Sequence, residues 1–216
     1  MNCVRIRKEF TTLTVAERRR HIDTILMVST DERYRAEYTE LINEHYELFD
    51  SLIHRKRFFL PWHRDYILRY ENLMRTADCS FTVTYWDWSL DSRDPFGTGP
   101  ENVWNSITGF GGDGADANNC VLDGPFRKDA WSRVRPEGSG PGPHCLTRNF
   151  NGNPPGEVDV MEVLNIDDFT DFEWGLRVEL HNNVHCRVGA VMCTDESASA
   201  PEFFLHHGFI DKIWDD

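Results

Sequence analysis

The chain has no apolar run of the roughly 18 residues that a membrane-spanning helix needs. Its longest apolar stretches, such as Ile25–Val28, are far too short, and no membrane span is expected. Positive charge is scarce: Lys and Arg number 23 against 36 Asp and Glu, for a net charge of -13. A phosphate backbone repels such a surface, which argues against nucleic acid as a partner and leaves small neutral substrates open. No two cysteines stand in a C-x-x-C pair, so zinc-knuckle and thioredoxin-like chemistry have no footing. Internal repeats and heptads are also missing, which sets aside solenoids and coiled coils. Met1 is followed at once by polar and basic residues rather than by the apolar core of a leader.

What is present suits a globular, aromatic-rich core: 216 residues, with 7 Trp and 14 Phe, fit one domain spanning 1–216. The six cysteines, an even number spread over the whole chain, suggest three disulfides and an oxidising compartment. The pairings expected are Cys186 with Cys193 across a local turn, Cys120 with Cys145 across a Gly/Pro-rich segment, and Cys3 with Cys79 as an N-terminal staple. Six buried free thiols are the alternative. With disulfides, the chain belongs outside the cell or in an oxidising lumen, and is then a piece lacking its leader.

The first part reads as helical. Thr14 and Glu17 stand in a capping-box arrangement ahead of a helix from Val15 to about Val28. A second helix is predicted from about Glu32 to Phe49. A third runs from near Pro61 to about Arg75, with Ile67, Tyr70, Leu73 and Met74 on one face. Residues 81–88 (FTVTYWDW) alternate like a short strand or extended piece. From about 91 to 156, Gly, Pro, Asn and Asp dominate, and an irregular excursion held by a disulfide and rimming a site is expected. Phe172 to about Val188 and Ala200 to Trp214 read as two more helices. The fold class is therefore mainly α: an antiparallel four-helix-type bundle wrapped by long loops.

Histidine placement is the strongest chemical signal. His45, His54 and His63 recur every nine residues. On one continuous helix that spacing turns successive imidazoles to opposite sides, but Pro61 marks a helix start. His45 can then close one helix, His54 sit in the connection, and His63 open the next, so that three imidazoles converge. His181 and His185 are four apart and share a helix face, and His206 and His207 follow on the last helix. Both sets are free of thiolate and carboxylate, which suits Cu, Zn, Fe or Ni. Facing each other across a bundle, they would hold a metal pair on the order of 3.5–4 Å apart. His21, beside three arginines, reads as structural or exposed, and His144 as a loop residue.

Residues 58–64 (FFLPWHR) resemble the first copper-site signature of tyrosinases. Residues 181–185 (HNNVH) and 203–214 (FFLHHGFIDKIW) resemble the second, and 85–88 (YWDW) a further family segment. On these motifs the chain is similar to the type 3 copper proteins: tyrosinases, catechol oxidases and molluscan-type haemocyanin units. The resemblance implies two copper ions, one held by His45, His54 and His63, the other by His181, His185 and His207, with His206 a structural neighbour. It also implies dioxygen as co-substrate, small phenols as substrates, hydroxylation of monophenols and oxidation of o-diphenols to o-quinones. Glu173 and Asn182 match a pair proposed in tyrosinases to hold a water that deprotonates monophenols. A solvated helix-start glutamate and a helix-surface asparagine are the plainer alternatives. Arg64 and Asp211 are expected to pair and brace the helices, and Phe59 to pack near the first copper.

Three features depart from the family pattern. Leu52 stands where some members carry a thioether-forming cysteine, and Gly208 follows the histidine pair. The sequence also ends at Asp216, where many relatives continue into a site-plugging domain, and an open site without latency is expected. The competing function is a haemocyanin-like reversible dioxygen carrier. Such units occur in tandem with a shielding β domain, neither of which is present in this sequence.

Overall fold

A computed structural model describes residues 5–51, 53–54, 56–90 and 93–216. The expected Cys3–Cys79 pair and the position of Leu52 lie outside the described residues. The protein is a helical bundle almost without β structure. Helix α1 spans Val15–Thr30, α2 Glu32–Leu48 and α3 Phe59–Ala77. Helices α4 (Glu157–Leu164), α5 (Phe169–Trp174), α6 (Asn182–Val188) and α7 (Glu202–Asp215) come after the long excursion. The Thr14–Glu17 capping box forms on both sides, Glu17 N–H donating to Thr14 Oγ1 and Thr14 N–H to the Glu17 carboxylate.

Helix α3 is the centre of the bundle, packing on α1, α2 and α7. Its buried face is aromatic. Tyr66 donates its hydroxyl to the Leu41 carbonyl of α2 at 2.9 Å, and Tyr70 stacks on Phe204 of α7. Arg64 pairs with Asp211, as expected, and its guanidinium also lies over Trp214 at 4.0 Å, so α3 and α7 are tied at their surfaces as well. Pro61 falls inside the first turn of α3 rather than at its first residue. It is tolerated because first-turn N–H groups have no intrahelical partner to lose.

Residues 81–88 are extended but form no sheet. Tyr85 bridges only to Glu9, and Trp86 donates to the Leu205 carbonyl of α7. With a single neighbour on each side, the segment is a strap rather than a strand.

The excursion is irregular, as its composition predicts, but it is not a loose wrap. Cys120 pairs with Cys145 across it. Trp104, Phe110, Phe126 and Trp131 from this segment are all buried in the common core. Arg148 is wholly buried and donates to the carbonyls of Phe110, Gly111 and Gly112 and to both oxygens of Glu202 at the start of α7. The excursion is thereby anchored to the helix that carries the last two histidines.

His21 is structural: buried, stacked on Phe81 at 4.5 Å, and near the Thr84 hydroxyl. Burial pushes its pKa down to about 3. Unfolded, it takes up a proton as pH falls below about 6.5. Between those values the unfolded chain binds more protons, so this contribution is intact above pH 6.5 and is lost as pH falls toward 3. At pH 5 the loss is about 2 kcal/mol. His21→Gln is expected to show a flatter dependence of Tm on pH between 6.5 and 4, and identical slopes would refute this.

Candidate metal centre

Seven imidazoles that start far apart in sequence meet at the middle of the bundle. His45 lies in the last turn of α2, His54 in the connection, and His63 in the first part of α3. Their rings sit 5.0–5.8 Å from one another, centre to centre. His181 ends the turn that leads into α6, His185 lies within α6, and His206 and His207 project from α7.

The approach to His181 has a local cause that the sequence does not display. Gly175–His181 winds as a π-helix between α5 and α6, with Asn182 N–H donating to Arg177 five residues back. An extra residue in a turn rotates the next helical segment by about 100° relative to the preceding one, and such turns are frequent at functional sites.

The two sets face each other. His63 stacks on His207 at 4.4 Å with an 8° angle between planes, and His181 lies 6.2 Å from both His54 and His63. Phe59 packs between them, 4.8 Å from His63 and 4.7 Å from His181. Phe203, one turn before His207, covers the other side, 4.9 Å from His45 and 4.1 Å from His207.

Hydrogen bonds fix the tautomers. His54 Nδ1–H donates to the Phe49 carbonyl at 3.2 Å, His63 Nδ1–H to Phe59 at 2.8 Å and His185 Nδ1–H to Met192 at 2.6 Å. His181 Nδ1–H donates to Asn182 Oδ1 at 2.9 Å. A carbonyl oxygen can only accept, so in each ring the proton is on Nδ1 and the Nε2 lone pair is left free for a cation.

Burial lowers the pKa values of His45, His63, His181, His206 and His207 well below the usual imidazole value, and their imidazole neighbours add to this. It brings His54 and His185 down to about 4. All seven are neutral at pH 7, the form that binds metal.

This arrangement fits metal ions better than it fits itself. His207 Nε2 stands 3.2 Å from His181 Nε2 and 3.3 Å from His185 Nε2. The latter two are lone pairs, and His207 can donate to only one of them. Nitrogens about 2.0–2.1 Å from one ion at tetrahedral angles stand about 3.3 Å apart. Among the described residues, His63 Nε2 and both ring nitrogens of His45 are buried without a hydrogen-bond partner, and a metal ion would satisfy His63 Nε2 and one nitrogen of His45. His206 also lies close enough to join the second set, but its ring stacks on His181 at 5.2 Å and makes no comparable Nε2 approach.

A cavity of about 270 Å³ opens on the centre, lined by His54, His181, Asn182, His185, Met192 and neighbouring residues. Asn182 is thus at the rim and holds His181. Glu173 is buried on α5 but does not line the cavity, its carboxylate being held by Arg177 at 2.5 Å. The carbonyls of Phe49, Phe59 and Met192 orient ligand rings yet leave no trace in the pattern of side chains. Phe203 had a signal in its four-residue spacing from His207.

Comparison with known proteins shows what the chain as a whole is similar to. A family model described as the common central domain of tyrosinase matches residues 30–216. The chain is 33% identical to a tyrosinase of Streptomyces lincolnensis, covering 97% of this chain and 81% of the relative. It is 30% identical to a tyrosinase-like protein of Diaporthe leptostromiformis, over 97% of this chain and 62% of that one. The fold resembles that of a variant polyphenol oxidase from Thermothelomyces thermophila, with a TM-score of 0.73 at 21% identity over 98% of this chain and 69% of that one.

Proposed function

This chain belongs to the tyrosinase family, and from that premise we propose that it is a copper-dependent phenol oxidase, oxidising o-diphenols to o-quinones and hydroxylating monophenols. The observation that carries the proposal is the pair of neutral imidazole sets in contact through His63 and His207. In this reading His45, His54 and His63 hold one copper, and His181, His185 and His207 hold the other. When bound, the pair supplies the electron transfer and activation of dioxygen that no side chain here can provide.

The chain's own residues select and orient. The cavity is at the small end of ligand sites, which suits a single phenolic ring. Asn182, on the rim, fixes His181 and can accept a hydrogen bond from a water or a phenol. Glu173, paired with Arg177 behind the rim, is assigned with Asn182 to hold a water that takes the proton of a monophenol. Glu173→Gln is therefore expected to lower monophenol turnover by about 10²–10⁴-fold and leave o-diphenol turnover nearly unchanged. Equal loss on both substrates would contradict that role. The two disulfides among the described residues suit a secreted protein or an oxidising lumen.

Copper content, with turnover of a monophenol and its o-diphenol under air, tests the whole proposal. Two coppers and rapid o-diphenol oxidation are expected. Two coppers with reversible dioxygen uptake and negligible turnover would mean a carrier instead.

A further inference from the structure

The Cys186–Cys193 disulfide lies at an unusual place. Its cysteines are 7 residues apart, and each directly follows one partner of a buried hydrogen bond. Cys186 follows His185, whose Nδ1–H donates at 2.6 Å to the carbonyl of Met192, and Cys193 follows Met192. The covalent bond therefore clamps the donor's neighbour to the acceptor's neighbour.

The chain between them reverses direction through two consecutive residues of positive φ, Gly189 at 73° and Ala190 at 46°. That region is uncommon for alanine and carries a conformational cost. Hydrogen bonds also hold the reversal: Gly189 N–H to the His185 carbonyl, Met192 N–H to Gly189, Thr194 N–H to Val191, Val191 N–H to the Thr147 hydroxyl, and Asn149 and Asn151 N–H to the Val188 and Arg187 carbonyls, but none of these ties the His185–Cys186 pair directly to Met192–Cys193. The helix it follows, α6, has only 7 residues and depends on its surroundings to persist. The disulfide also walls the cavity beside His54 and His181.

We propose that Cys186 and Cys193 are positioning residues of the second histidine set: their bond holds the Met192 carbonyl on His185 Nδ1 and so keeps the Nε2 lone pair of His185 turned to the metal. Cys120–Cys145, in the excursion, makes no such connection. The inference rests on the copper-site reading above, which wild-type copper content tests separately.

The test compares the C186S/C193S pair, and the C186A/C193V pair should the serines not fold, with C120S/C145S and wild type. Copper titration of each purified protein is read together with the nitrogen NMR signature of the His185 tautomer in metal-free protein. Wild type failing to bind two coppers would sink the underlying reading. Given two, the proposal expects C186S/C193S to bind one copper about 10–100-fold more weakly, the range for loss of a ligand's outer partner. It also expects that variant to show mixed His185 tautomers. C120S/C145S is expected to lose stability but keep both copper affinities and the Nδ1–H tautomer. Wild-type affinities and tautomer in the Cys186/Cys193 variants would overturn the proposal. So would failure of both pairs to fold while C120S/C145S folds, because the bond would then serve the whole chain.

Discussion

His207→Ala is expected to leave one copper per chain and to lower o-diphenol turnover by more than about 100-fold, the upper end of what an outer partner alone costs. His207 is the joint of the site: its Nε2 approaches those of His181 and His185 within 3.3 Å, and its ring stacks on His63 of the other set. His206→Ala supplies the contrast. His206 is equally buried, but it packs against His181 and Trp88 without an Nε2 contact to either partner of the set. It is expected to keep two coppers and to lose stability through the space it vacates. Copper content of the two variants decides between them, and loss of a copper from His206→Ala with retention in His207→Ala would reverse the assignment.

Arg148→Met is expected to destabilise the fold by about 3–5 kcal/mol, the cost of breaking one side of a buried ion pair. The pair is inaccessible on both sides, and the guanidinium also satisfies three carbonyls of the excursion and lies over Trp104. Removing it leaves the Glu202 carboxylate buried and alone at the N-terminus of α7. Replacing both residues by apolar ones of similar volume is expected to be much milder, because no unpaired charge remains. Denaturant unfolding measures both, and an Arg148→Met midpoint equal to wild type would refute the anchoring role of the excursion.

The helical frame is legible in the sequence because local signals agree there: the Thr14–Glu17 box, the apolar face of α3 and the proline at its start all point one way. The histidine sets are legible from spacing once Pro61 separates His54 from His63. Helix α4 is not, because Val158, Val160, Met161 and Val163 alternate about as well as they follow a helical period. The burial of the excursion is illegible for a different reason. Its Gly, Asp and Asn residues mark turns, and nothing local says that Trp104, Phe110, Phe126 and Trp131 fill the same core as the helices. The Arg177–Glu173 pair stands at helical i,i+4 spacing and could have been found by charge pattern. The π turn before His181 and the backbone carbonyls that orient His54, His63 and His185 could not, since main-chain acceptors carry no residue code.

For phenol oxidation the two imidazole sets must act on neighbouring ions rather than on independent ones. Electron paramagnetic resonance of the purified protein, loaded with Cu(II) to the stoichiometry set by elemental analysis, is the most direct check. Two ions per chain with the signal of isolated Cu(II) largely abolished by coupling between them is the predicted result. Two ions giving the full uncoupled signal, or a chain that retains only one, would contradict it.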